Sequence, residues 1–156
     1  ADGSLVGQVH EATADEVAHA LDAAQDGLDQ WSRTPVATRA ATLRRIADLY
    51  EDHMAEFCAI ATREAGKILY DGVAEVREAV DFLRYYAAGA EAMPDAPSLG
   101  VVACISPWNF PLAICTGQVA AALAAGNTVL AKPAEETPLV AAAATRLHLG
   151  TTTRLK

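Results

Sequence analysis

Asn109 stands between Pro107 and Pro111 in the run SPWNFP, and Lys132 opens a Lys-Pro-Ala-Glu turn that closes on Glu135. The amide of Asn109 is a neutral hydrogen-bond donor with no proton to gain or lose. The flanking prolines restrict the backbone on both sides of it, which would keep the amide preorganised. Asparagine in a turn ordinarily bonds its own backbone, and a lysine and a glutamate three residues apart ordinarily lie on a solvated surface. Cys58, Cys104 and Cys115 are the chain's thiols. Their odd number and the absence of C-x-x-C spacing argue against a disulfide framework or a zinc site, so they read as small apolar fillers and no metal is expected.

The elements that must position Asn109 and Lys132 lie in Gly100 to Lys132. Val101 to Ile105 is a short apolar, β-branched run, the pattern of a strand buried on both faces of a parallel sheet. Ser106 to Pro111 breaks it, which pins Asn109 at the carboxyl end of a strand. From Leu112 the small and apolar residues Ala113, Val119, Ala120, Leu123 and Ala124 suit a closely packed helix. Gly126 and Asn127 stop it, being residues that tolerate a left-handed cap. Thr128 to Ala131 is a second strand with Lys132 at its tip. Such a βαβ unit is right-handed, and ligands of its sheet bind outside the carboxyl ends of the strands, where Asn109 and Lys132 both fall.

SPWNFP followed by AALAAGNTVLAKPAEETP resembles the aldehyde dehydrogenase superfamily. The segments ISPWNFPLAI, TGQVAAALAAGN and VLAKPAEETP, with the upstream REAGK and AEVREAVDFLRYYA, are similar to the dehydrogenase half of the bifunctional proline utilization A proteins. The resemblance covers roughly Leu5 to Thr145. It implies an α/β fold: an incomplete aldehyde-dehydrogenase-like NAD-binding domain with a helical layer, a parallel βαβ unit and a further helix.

Aldehyde oxidation in this family runs through thiolate attack on the carbonyl, hydride transfer to a nicotinamide cofactor and hydrolysis of the thioester. Asn109 matches the family residue whose amide stabilises the charge that develops on the carbonyl oxygen. Lys132 and Glu135 match the residues that bind the adenine-side ribose of NAD, an ammonium donating to its oxygens and a carboxylate accepting from its vicinal hydroxyls. The resemblance places Ile105, Ser106, Pro107 and Trp108 along the cofactor's path and Phe110 as an apolar wall beside the aldehyde, with core packing as the other reading of Phe110. The family's nucleophile lies well downstream of the Lys-Pro-x-Glu segment, so none of the three cysteines matches it. The chain is therefore expected to be the N-terminal part of such a domain, inactive alone. The implied reaction is oxidation of L-glutamate γ-semialdehyde to L-glutamate in proline catabolism. A flavin-dependent proline dehydrogenase domain is implied upstream, and a homo-oligomer at full length. The alternatives are an aldehyde dehydrogenase of other substrate and a non-catalytic structural or assembly module.

The 156 residues carry a formal charge of −8, which disfavours a nucleic-acid partner. Mean hydropathy is +0.15, as in globular chains. No apolar run approaches the roughly 20 residues of a membrane span, and the start ADGSLVGQVHEATADE lacks a basic, apolar leader, so the expected location is the cytoplasm.

Residues 1–90 read as the helical part. Leu5 to His10 forms a weak strand. Thr13 and Glu16 make a capping box ahead of a helix whose apolar face is Val17, Ala20, Leu21, Ala24, Leu28 and Trp31. Thr34 and Pro35 open a second helix, proline at its first position, with one apolar face continuing as far as Gly66. A third opens near Asp71, and its charges Glu75, Arg77, Glu78, Asp81 and Arg84 read as a solvated face. Residues 91–99 are a proline-bearing linker, shorter than in the resembled family, where strands at this place help to build the oligomer. Residues 100–149 hold the βαβα segment, with Thr137 and Pro138 starting a helix over Leu139 to Leu147. Residues 150–156 form an atypical tail outside that helix.

Overall fold

The computed structural model describes residues 3–152. Its elements are α1 (Ala14–Arg33), α2 (Val36–Asp52), α3 (Met54–Ala65), α4 (Leu69–Ala92), β1 (Val101–Ile105), α5 (Ala113–Ala124), β2 (Thr128–Lys132) and α6 (Pro138–Thr152). The α/β class and the strand–helix–strand order agree with the sequence reading.

Helix α1 begins where the sequence predicts. The Thr13 hydroxyl accepts from the Glu16 N–H at 3.3 Å, while Glu16 Oε2 accepts from the Thr13 N–H at 2.8 Å, so two orphan donors of the first turn are satisfied reciprocally. Its apolar face lies beside the sheet without burying any residue fully. Its end is fastened by Trp31, whose Nε1 donates to the Leu123 carbonyl at 3.0 Å. Trp31 is thus a packing and anchoring residue.

Several expectations are corrected. Leu5 to His10 makes no strand and pairs with none among the described residues; Arg63 instead donates to the Leu5 carbonyl at 3.0 Å. Pro35 takes the N-cap position with ψ 138°, so α2 starts one residue later. The single helix expected as far as Gly66 is two, α2 and α3, because His53 at φ −99°, ψ 13° leaves the helical path. Gly66 ends α3 in the left-handed region at φ 68°, where a Cβ would be strained. Helix α4 begins two residues before Asp71. Helix α6 passes through Gly150, so residues 150–152 belong to it; residues 153–156 of the expected tail lie outside the described residues.

The strands pair in parallel with Val101 opposite Thr128 and Ile105 opposite Lys132. Burial on both faces, as expected for β1, does not hold: of its residues only Cys104 is buried, because the described sheet has two strands and each has one neighbour. Asn127 bolts the sheet's entry to α5. Its Oδ1 accepts from the N–H groups of Leu99 and Gly100, and its Nδ2 donates to the Ala122 carbonyl.

One hydrophobic core runs through the helices and reaches the second half of the chain, with Leu43, Ile46, Tyr50, Phe57, Val76, Val80, Leu83, Leu112, Ala120 and Val140 among its members. Burying each large side chain contributes about 1.5–3 kcal/mol. Arg39 is buried with them, its Nε donating to the Ala124 carbonyl at 3.1 Å beside Gly126, which sits at φ 85°. Leaving water pushes the Arg39 guanidinium pKa down from its ordinary value.

Candidate active site at the carboxyl ends of the paired strands

The parallel register sets Ile105 against Lys132, and the Ser106 N–H continues the ladder by donating to the Lys132 carbonyl at 3.0 Å. The SPWNFP turn and the Lys-Pro-Ala-Glu turn therefore leave the sheet side by side. A further link joins them, as the Thr137 hydroxyl donates to the Trp108 carbonyl at 3.4 Å.

Ile105, Trp108, Asn109 and Phe110 are all exposed, Pro107 is half-buried and Ser106 is buried. Exposure of Ile105 at 66% and Trp108 at 56% leaves two large apolar surfaces at the sheet end where a ligand is expected. Asn109 makes no side-chain hydrogen bond among the described residues, so its amide does not cap its own turn. Lys132 Nζ donates to Glu135 Oε1 at 2.6 Å, both side chains exposed. That hydrogen bond holds the Glu135 carboxyl below the usual carboxylate range. Phe110 is 41% exposed, and one face of its ring carries the Lys67 ammonium 4.5 Å from the centroid, so the ring is not packed into the core.

The reading of α4's charges as a solvated face holds for Arg77, Glu78, Asp81 and Arg84 and fails at Glu75. It is 2% exposed, and its Oε2 accepts from the N–H groups of Leu112 at 3.1 Å and Ala113 at 2.9 Å. Its Oε1 pairs with Lys67 Nζ at 2.9 Å. Helix α5 has no side-chain cap of its own, since Leu112 occupies the N-cap position. The carboxylate supplies that cap from another helix and meets the positive end of the α5 dipole. Glu64 does the same for α6, accepting from Leu139 N–H at 2.6 Å and Val140 N–H at 3.0 Å. The signal for both was REAGK and AEVREA: acidic residues on apolar-faced helices with no helix cap written at Leu112. It could be read only once the helices were known to meet.

All three cysteines are buried. Burial raises the pKa of each thiol, opposed at Cys115 by the Ser106 hydroxyl. None is poised as a thiolate nucleophile. Among the described residues no group of three or more His, Cys, Asp or Glu is placed to hold a metal, and no helix is long and apolar enough to cross a membrane.

A cavity of about 890 Å³ lies elsewhere, between α1, α2, α5, α6 and β2, with Trp31, Val119, Leu130 and His148 on its walls. None of Ile105 to Phe110, Lys132 or Glu135 lines it. Its walls are chiefly apolar and bring no charged group forward.

Residues 1–149 match the aldehyde dehydrogenase family. The chain belongs to that family. It is 57% identical over 141 residues to the bifunctional protein PutA of Escherichia coli, covering 88% of this chain and 11% of that protein. A crystal structure of a Bradyrhizobium japonicum proline utilization A variant superposes with a TM-score of 0.88 at 45% identity, covering 92% of this chain and 16% of that one. A 1-pyrroline-5-carboxylate dehydrogenase from Thermus with bound NAD gives the same TM-score at 32% identity, covering 90% and 30%. The chain thus spans a small part of the proteins it resembles, 11% of the first and 16% and 30% of the two solved structures.

Proposed function

We propose that these residues form part of an NAD-dependent dehydrogenase that oxidises L-glutamate γ-semialdehyde to L-glutamate in proline breakdown. The observation that carries the reading is the meeting of two turns at one sheet end: on one the Asn109 amide, which makes no side-chain hydrogen bond among the described residues, and on the other the Lys132–Glu135 pair. The identity to PutA supports the substrate class.

The residues present suit NAD. Lys132 and Glu135 offer donor and acceptor to a ribose diol, exposed Ile105 and Trp108 offer apolar surface to its rings, and Ser106 and Pro107 line the path between them. NAD, when bound, supplies the hydride acceptor. Asn109 donates its amide N–H to the aldehyde oxygen as negative charge gathers there. Phe110 excludes water on the apolar side of the aldehyde. The attacking thiolate comes from outside these 156 residues, as the three thiols within them are buried. The 156 residues alone are accordingly inactive toward aldehydes. The full polypeptide carries a flavin-dependent proline dehydrogenase module upstream, assembles as a homo-oligomer and works in the cytoplasm. Within this chain the helical part runs to the end of α4 at Ala92, two residues past the boundary expected at 90, the linker follows as far as 99, and the start of the nucleotide-binding sheet runs from 100 through α6.

The test is NADH formation by the full-length polypeptide with L-glutamate γ-semialdehyde and with shorter and longer semialdehydes. Asn109→Ala should lower kcat about 10²–10³-fold while leaving NAD affinity unchanged. Lys132→Ala should weaken NAD binding by about tenfold, the loss of one hydrogen bond to a charged group. A wild-type polypeptide that reduces no NAD with this aldehyde would sink the reading.

A further inference from the structure

Resting on that reading, we infer that Glu75 and Lys67 are positioning residues for the oxyanion donor: they hold the turn that carries Asn109 by gripping it on its carboxyl side. Three observations carry this. Pro111 has no N–H, so the first backbone donors after the turn are those of Leu112 and Ala113, and both go to Glu75 Oε2. The next, that of Ile114, returns to the Phe110 carbonyl at 3.3 Å. The start of α5 is therefore fixed by one carboxylate that belongs to another helix. The second grip is Lys67, which spans from Glu75 Oε1 at 2.9 Å to the ring of Phe110 at 4.5 Å. Phe110 is the residue next to Asn109, and Leu112 lies three beyond it. Finally, Asn109 makes no side-chain hydrogen bond among the described residues, so the amide's aim depends on how its backbone is held.

A carboxylate 2% exposed is costly to bury, and here two N–H groups and an ammonium compensate it. A neutral cap on the turn itself would satisfy α5 at lower cost, but the N-cap position is held by Leu112, whose side chain has no acceptor. The capping group had to come from α4, and through it α4 sets the angle at which the turn leaves the sheet.

The test is a double-mutant cycle in the full-length polypeptide, with an additional structural readout. Glu75→Gln keeps an acceptor oxygen for Leu112 and Ala113 and removes the ion pair. It should lower kcat about 10–100-fold, the cost of a small misplacement, with NAD affinity unchanged. In an Asn109→Ala background the same substitution should cost nothing further. An equal loss in both backgrounds, or no loss with Asn109 present, overturns the inference. Selectively labelled Asn109 supplies a readout apart from catalysis: its side-chain amide resonances should shift or broaden in the folded Glu75→Gln protein, and unchanged resonances overturn the inference even if the aldehyde activity proves to be absent. Should Glu75→Gln fail to fold, Lys67→Met goes through the same cycle and the same spectrum, with Lys67→Arg, which keeps the cation, expected to recover most of the loss. Failure of the functional reading is separately visible, as an inert wild type.

Discussion

The molecule contains two strand–turn–helix passages, β1 to α5 and β2 to α6, that are built alike and secured differently. Each leaves the sheet at its carboxyl end, makes a proline-bearing turn and enters a helix whose first free N–H groups are taken by a glutamate from the helical layer: Glu75 for α5 and Glu64 for α6. At α5 the carboxylate is fully buried and paired with a lysine that also covers the turn's aromatic ring. At α6 the bonds are part-buried, and the turn's own charges, Lys132 and Glu135, are engaged with each other in water. The difference matches what each turn is asked to do in the proposed reaction. A donor for a developing charge gains from rigidity, whereas a pair that receives a ribose gains from being reachable.

Removing each glutamate is the sharpest way to break this comparison. Glu75→Ala leaves Lys67 without its buried partner and two N–H groups unsatisfied, and should lower unfolding free energy by about 3–5 kcal/mol in urea titrations. The same change at Glu64 removes a cap and should cost about 1 kcal/mol. Equal losses at the two positions would erase the distinction.

Acid should loosen the second passage. His148 on α6 is bonded to the Tyr50 hydroxyl at 2.8 Å, and burial lowers its pKa to about 4. The unfolded chain, with histidine near its ordinary value of about 6.5, binds the proton that the folded chain refuses. Stability is therefore full above about pH 6.5 and should fall by about 1.4 kcal/mol per unit as pH drops from there to about 4. His148→Gln should flatten that slope in denaturation measured across the window. Hydrogen exchange should show α6 opening before α5.

The smallest effect is expected away from both passages. Arg84 of α4 reaches Asp48 and Glu51 of α2 across exposed surface, and Arg84→Ala should cost less than about 1 kcal/mol by thermal melting, less still in high salt. It sits nine residues after Glu75 on the same helix, so it sets the scale for an exposed charge beside a buried one.

The sequence carried much of this arrangement because the governing signals were local. The capping box at Thr13, the β-branched run before SPWNFP, the stop at Gly126 and Asn127 and the strand ending at Lys132 each depend on neighbours within a few residues, and each appears in the fold. Glu75 was misread for the opposite reason. On α4 it stands among Arg77, Glu78 and Asp81, which are exposed, and the N–H groups it accepts from lie 37 and 38 residues further along. Charge alternation describes a helix in isolation and is blind to a second helix ending against it. The break at His53 was missed because the apolar face runs on through it. Burial of β1 was overestimated because a strand pattern does not say how many neighbours the strand has.

The three buried thiols have a consequence of their own. Cys58 lies under Gly72 where α3 meets α4, Cys104 lies within β1 and Cys115 within α5, and all are shielded and protonated in the closed protein. An alkylating reagent therefore meets each only when the structure around it opens. Labelling rates read thiol by thiol make the chain its own timer, one clock in the helical layer, one in the sheet and one in the helix that leads away from Asn109.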